Sequence, residues 1–153
     1  MKIAVGPESI KELFETNNTV EVPNFQRNYV WQKENVEQLL KDAIAAGELG
    51  DTHFFGPIVL LKSGANFEVI DGQQRITTTV MALAILRDLL MEKRYFPASE
   101  TTFVDDYKFL IRSHLFKTQA DPKPKFRAGY LIRKMFDEGV LPVVDDRTMT
   151  LTK

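Results

Sequence analysis

The feature that most restricts this fold is an abrupt change of pattern at residues 69–79, Val69-Ile70-Asp71-Gly72-Gln73-Gln74-Arg75-Ile76-Thr77-Thr78-Thr79. Before it, Phe67, Glu68, Val69 and Ile70 read as a strand, preceded by the turn-like Ser63-Gly64-Ala65-Asn66. After it, Ile76, Val80, Leu83 and Ala84 recur at helical spacing, and Met81, Ala82, Ile85, Leu86, Leu89 and Leu90 leave almost no polar face before Arg87 and Asp88. A helix that is apolar nearly all round is expected to be buried. A strand feeding a buried helix through a polar turn calls for an α/β (α+β) domain, with a small mixed sheet and a helical C-terminal part.

Such a turn is also where chemistry can be placed. The first N–H groups of a helix lack intrahelical partners, and the peptide dipoles add roughly half a positive charge there. Gly72 lets the backbone approach a ligand, Arg75 offers a planar fork of donors, and Thr77 and Thr78 bring hydroxyls to the same end. Asp71 can hold a hydrated Mg²⁺ or a ribose hydroxyl, or can simply cap the helix. An ordinary capped turn with an exposed Arg75 accounts for the same residues, so both readings stand at this point.

Composition excludes several classes. The chain has no cysteine, so there is no disulfide framework, thiol nucleophile or thiolate metal site. The two histidines, His53 and His114, are too far apart in sequence to suggest zinc. A formal net charge of −1 gives no global attraction to nucleic acid or anionic membrane, so such contact needs a local patch. The N-terminal apolar run is too short for a signal peptide, and Met81 to Met91 is too short and too charged to span a bilayer. A cytoplasmic location is expected, with no membrane partner.

Upstream, Ser9-Ile10-Lys11-Glu12 is a capping box opening a short helix with Leu13 and Phe14 on its inner face. Thr19-Val20-Glu21-Val22 alternates like a half-exposed strand and stops at Pro23. Pro23-Asn24-Phe25-Gln26-Arg27-Asn28-Tyr29-Val30-Trp31 has neither helical nor strand period, and reads as an ordered loop of the kind that binds something. Phe25 and Trp31 are expected in the core; Arg27, between aromatics, needs an anion or a stacking partner. Lys33 to Ala46 follows the amphipathic template through Val36, Leu39, Leu40, Ala43 and Ile44, with Gly47 as C-cap. Ile58-Val59-Leu60-Leu61 reads as a buried strand in a hairpin with Phe67 to Ile70, and His53 beside it as a structural hydrogen-bonder.

Downstream, Val104, Tyr107, Ile111 and Leu115 mark another helix, broken at Asp121-Pro122, and Phe126 to Glu138 reads as a last helix before a fraying tail. A boundary is placed between a 1–95 core and a 96–153 helical extension. Lys123, Lys125, Arg127, Arg133 and Lys134, interleaved with Phe126 and Tyr130, form a basic cluster that suits DNA or equally a solvated helix face.

Three ordered blocks, Pro23-Asn24-Phe25-Gln26-Arg27-Asn28-Tyr29-Val30-Trp31, Phe55-Gly56-Pro57-Ile58-Val59 and Asp71-Gly72-Gln73-Gln74-Arg75, resemble the N-terminal domain of GmrSD-type restriction proteins. The resemblance implies a ParB/sulfiredoxin-like core, binding and hydrolysis of a nucleoside triphosphate with Mg²⁺ at the Asp71–Arg75 turn, and a place in modification-dependent restriction or another anti-phage system. It implies that Arg75, Gln73 and Gln74 hold phosphates, that Asp71 holds Mg²⁺ or orients water, that Gln26 and Arg27 close the pocket, and that Tyr29 or Trp31 stacks on the base. The cysteine of the sulfiredoxin branch is missing, which excludes sulfinic acid reduction. No His-Asn-His nuclease motif is present, so a nuclease domain or subunit is expected as partner. A DNA-binding or protein-interaction module without hydrolysis is the competing reading.

Overall fold

A computed structural model describes residues 9–15, 18–91, 101–118 and 123–141. The expected boundary at 95/96, the Asp121-Pro122 break and the tail beyond Leu141 lie outside these residues. Helix α1, Ile10–Glu15, opens with the expected capping box: the Ser9 hydroxyl accepts the Glu12 N–H at 3.1 Å, and Glu12 Oε2 accepts the Ser9 N–H at 2.7 Å. The Ser9 N–H bond most strongly, and then the Ser9 hydroxyl donating to the same Oε2 at 2.9 Å, hold the Glu12 carboxyl below its ordinary pKa.

Four strands form one mixed sheet: β1, Thr19–Glu21; β2, Val59–Ser63; β3, Asn66–Asp71; and β4, Phe126–Arg127, in the order β2-β3-β1-β4. β1 runs parallel to both β3 and β4, with Val20 opposite Phe67 on one side and Phe126 on the other, while β2 and β3 form the antiparallel hairpin read from sequence. The protein is therefore a mixed α/β fold. Helix α3, Gln73–Met91, follows directly on β3. Its Ile76 and Val80 join Val20 and Val69 in a core with almost no solvent contact, each such side chain contributing about 1.5–3 kcal/mol.

Helix α4, Thr101–Leu115, packs against α3 and α1 and adds Val104, Ile111 and Leu115 to that core. After β4 come α5, Tyr130–Met135, and a π-helical turn, Phe136–Val140. Phe126 and Phe136 meet there as tilted rings with centroids 5.4 Å apart. Residues on both sides of the 95/96 boundary thus share one hydrophobic cluster.

Several expectations fail for physical reasons. Phe126 to Glu138 is not one helix, because Phe126 and Arg127 extend to pair with β1 and only Tyr130 onward turns helical. Ile58–Leu61 is not a buried strand: β2 runs from Val59 to Ser63 at the sheet edge, and four of its five residues are exposed. Phe25, expected in the core, is 76% exposed, and Trp31 is half-buried. His53 is exposed and makes no hydrogen bond among the described residues. Helix α2, Lys33–Leu49, runs past Gly47 and ends at Gly50, whose left-handed φ of 65° lets its N–H reach the Ala46 and Gly47 carbonyls. Its apolar stripe includes Leu40 and Ile44, yet none of its residues is buried. Helix α3 reverses the expected pattern on its outer half: Ile85, Leu86 and Leu89 are exposed, whereas Arg87 is buried, bonded to Asp88 and to the Val140 carbonyl. Tyr107 likewise faces outward from α4.

Candidate functional site

The two glutamines of the polar turn sit in the first turn of α3 and are both buried. Their carboxamides reach the 23–31 loop. Gln73 Nε2 donates to the Arg27 carbonyl at 2.6 Å, and Gln74 Nε2 donates to the Asn28 carbonyl at 3.0 Å. Gln74 Oε1 accepts the N–H groups of Val30 at 2.9 Å and Trp31 at 3.3 Å. On either flank, Gln26 Nε2 donates to the Ile70 carbonyl, and the Tyr29 hydroxyl meets Thr78 Oγ1 at 2.8 Å, which itself donates to the Gln74 carbonyl. A segment without regular structure thereby gains the partners that an extended backbone otherwise finds in a sheet. Arg27 comes to the turn as expected, but through its carbonyl. The Gln73 and Gln74 amides, read as phosphate holders, are occupied in large part by holding the loop.

The third block packs on the other flank. Arg75 is half-buried and donates from Nη1 to the Pro57 carbonyl at 3.1 Å, with its guanidinium lying against Gly56. A Cβ at Gly56 would come within 3.2 Å of that group, and one at Gly72 would lie 3.0 Å from Ile58 Cγ1; both glycines have φ near +90°. The turn therefore tolerates side chains at neither position. Arg75, with no structural partner visible in sequence, has one in Pro57.

Asp71 is the exposed last residue of β3, and its Oδ1 accepts the Gly72 N–H at 2.8 Å, so it lies one residue before the helix cap. The Ile76 N–H closes on the Gly72 carbonyl, while the N–H groups of Gln73, Gln74 and Arg75 meet no acceptor among the described residues. For Mg²⁺, no group of three or more His, Asp or Glu side chains gathers among the described residues. A single carboxylate completed by water and phosphate oxygens is an ordinary Mg²⁺ arrangement, which Asp71 fits.

Beside the turn lies a pocket of about 220 Å³. Gln26, Arg27, Tyr29, Gln73, Gln74 and Thr77 line it; Asp71, Gly72, Arg75, Thr78 and Trp31 do not. The residues read as one site are thus divided between the pocket and the Gly56–Pro57 flank of the same helix start. Sequence reasoning missed Asn24 and Asn28 in the loop, and Gly129 to Ile132 at the start of α5. The asparagines stood inside a block already singled out, whereas nothing local ties Gly129 and Tyr130 to a turn more than fifty residues away.

The basic cluster is divided between buried and exposed positions. Lys125 is 3% exposed and its Nζ donates to the carbonyls of Phe14 and Ser113, both at 2.7 Å. Burial holds its pKa below the ordinary lysine value, only partly offset by Glu15. Arg127 and Arg133 both pair with Glu21, at 3.5 and 3.4 Å, and Arg133 also bonds the Ala128 carbonyl and Asn24. Lys123 and Lys134 keep exposed positions.

With three separated blocks converging on one strand-to-helix turn, comparison with known families becomes decisive: the profile of the GmrSD restriction endonuclease N-terminal domain matches residues 10–140. The chain belongs to that family. The match covers every element from α1 to the π turn, so the GmrSD-type domain includes the strand and helices beyond residue 96 as well as the motif-bearing half. No curated protein is significantly similar to the chain. As a GmrSD N-terminal domain it is a component of a restriction system. No helix among the described residues is long and apolar enough to cross a membrane.

Proposed function

We propose that this domain binds a nucleoside triphosphate at the start of α3 and hydrolyses it, so that the nucleotide state regulates a nuclease carried elsewhere in the restriction system. The observation that carries the reading is the set of three N–H groups, on Gln73, Gln74 and Arg75, that meet no acceptor among the described residues, at the start of a long helix beside Arg27 and an open pocket. The phosphates sit on those N–H groups. Arg27, whose side chain has no hydrogen-bond or ion-pair partner among the described residues, supplies the opposing charge. The Gln73 and Gln74 side chains serve by holding Arg27 in place, which is positioning rather than contact with phosphate.

Asp71 would hold Mg²⁺ through the oxygen not used on Gly72. When bound, the metal neutralises developing negative charge on the phosphates. The chain's own residues orient the phosphate chain and exclude alternatives of the wrong shape, which is most of what catalysis of phosphoryl transfer requires. Lys125 and Arg133, two of the five basic residues of the 123–134 segment, are taken up by internal partners, which favours this reading over one in which the domain grips DNA through the whole segment. Titration of the protein with each ribonucleoside triphosphate, with and without Mg²⁺, followed by measurement of phosphate release, tests it.

A further inference from the structure

The floor of the pocket presents polar side-chain atoms that no protein group engages among the described residues. Thr77 is 3% exposed and lines the pocket, yet its hydroxyl makes no hydrogen bond among the described residues. Its neighbour Thr78 behaves quite differently, back-bonding to Gln74 and meeting Tyr29. Gln73 is 7% exposed and spends Nε2 on the loop, leaving Oε1 unpaired on the same floor. The fully buried side-chain atom without a partner among the described residues is Arg87 Nη1, elsewhere in the fold, so the Thr77 hydroxyl and Gln73 Oε1 face the open space of the pocket, where they offer a ligand one donor-acceptor and one acceptor.

The walls narrow the class. Among the described residues no carboxylate lines the pocket; what does is amide, hydroxyl, aromatic and aliphatic, with Arg27 as the one cation. Asn28 offers a carboxamide with no side-chain partner among the described residues. Tyr130, the first residue of α5, stands at the mouth and is 69% exposed, an unusual degree for a tyrosine unless its ring has something to cover. At about 220 Å³ the space is smaller than the ~300 Å³ from which pockets enclose a whole drug-sized ligand. It takes one moiety of a nucleotide, and a flat heterocycle with an N–H and a carbonyl or ring nitrogen matches the floor.

We propose that this pocket is the base subsite of the nucleotide site, with Thr77 and Gln73 Oε1 reading the edge of the base and Tyr130 stacking on its face. The proposal rests on the nucleotide reading above. It adds that selectivity among bases is set jointly by α3 and by the entry of α5, an element held to the loop through Arg133, which bonds Asn24 and Glu21. The phosphates then leave the pocket past Arg27 toward the free N–H groups of the turn.

The test compares wild type with Tyr130→Ala, Tyr130→Phe and Thr77→Val by calorimetric titration, using each common ribonucleoside triphosphate and, as a probe without a base, inorganic tripolyphosphate. Tyr130 is too exposed for its loss to unfold the domain, and melting temperatures check this. Tyr130→Ala is expected to weaken every nucleotide by roughly tenfold, the size of one base–aromatic stack, while leaving tripolyphosphate unchanged. Tyr130→Phe should restore binding, and Thr77→Val should weaken binding and alter the rank order of the bases. If wild type binds nucleotides but both Tyr130→Ala and Thr77→Val bind them equally well, the pocket holds water only and the proposal is overturned while the nucleotide reading survives. Equal affinity of wild type for tripolyphosphate and for nucleotides overturns it too. Should wild type bind none of these probes, the nucleotide reading fails and this one with it.

Discussion

Gln74 reaches across 44 residues of sequence to accept the Val30 N–H at 2.9 Å, and its other amide atom donates to the Asn28 carbonyl at 3.0 Å. One buried carboxamide thus satisfies both backbone senses of a loop that has no sheet to join. The two polar motifs of this chain are therefore a single structural unit, and any ligand chemistry at the turn depends on the loop being held.

Removing that amide should release the loop. Gln74→Ala deletes bonds to Asn28, Val30 and Trp31 and leaves their main-chain groups unsatisfied, at a cost of about 2–3 kcal/mol. Urea unfolding measures the loss, and limited proteolysis should cut within residues 24–32 faster than in wild type. Gln74→Glu keeps the acceptor but not the donor and should fall between the two. Wild-type stability in Gln74→Ala would mean that the loop holds itself.

The turn should not accept a methyl group. At Gly72 a Cβ meets Ile58 at 3.0 Å and φ is +87°, so Gly72→Ala is expected to destabilise by more than about 1 kcal/mol. Gly47, inside α2 with nothing near its Cβ position, is the control: Gly47→Ala should stabilise by up to about 1 kcal/mol. Thermal denaturation of the pair reads both signs.

Two isoleucines of α3 should behave oppositely. Ile76 has no solvent exposure and Ile85 is 59% exposed. Ile76→Ala is expected to cost about 2–5 kcal/mol, and Ile85→Ala to stay within about 0.5 kcal/mol. Similar losses at both would mean that the outer face of α3 is covered in solution.

Those isoleucines also show where sequence stopped short. The strand, the hairpin and the start of α1 were legible because short-range signals set them: a β-branched run, a glycine turn, a capping box at Ser9 and Glu12. The sequence of α3 cannot say which half of an all-apolar helix faces the sheet, because that depends on how few strands the sheet has. Phe126 and Arg127 looked helical because the residues after them are; only the vacant edge of β1 makes them extended. The Asp71–Arg75 turn and the 23–31 loop, singled out from sequence, do meet in the structure, but the tasks of the side chains were not legible. A glutamine that binds backbone and one that binds phosphate look the same in one dimension, and Tyr130 enters the pocket by a tertiary contact with no local mark.

Lys125 gives a pH signature. Its folded pKa is depressed below the ordinary 10.5, chiefly by burial. In the window between the two values the unfolded chain holds more protons, so stability should rise with pH there; below the depressed value the penalty for the buried charge is fully present. Lys125→Met should remove that rise, and should also leave retention on duplex DNA unchanged, since the Nζ faces Phe14 and Ser113 rather than solvent. A persistent rise in Lys125→Met would assign it to another group.

The most direct test of the central claim is one calorimetric titration of the intact domain with nucleoside triphosphates in Mg²⁺, alongside Arg27→Ala. Arg27 is exposed, and only its carbonyl is used in holding the loop, so the variant should melt as wild type does. The account predicts saturable binding by wild type and a loss of roughly tenfold or more in Arg27→Ala, the size of one charge-assisted contact to phosphate. Binding that is equal in both proteins, or absent from wild type, would contradict it.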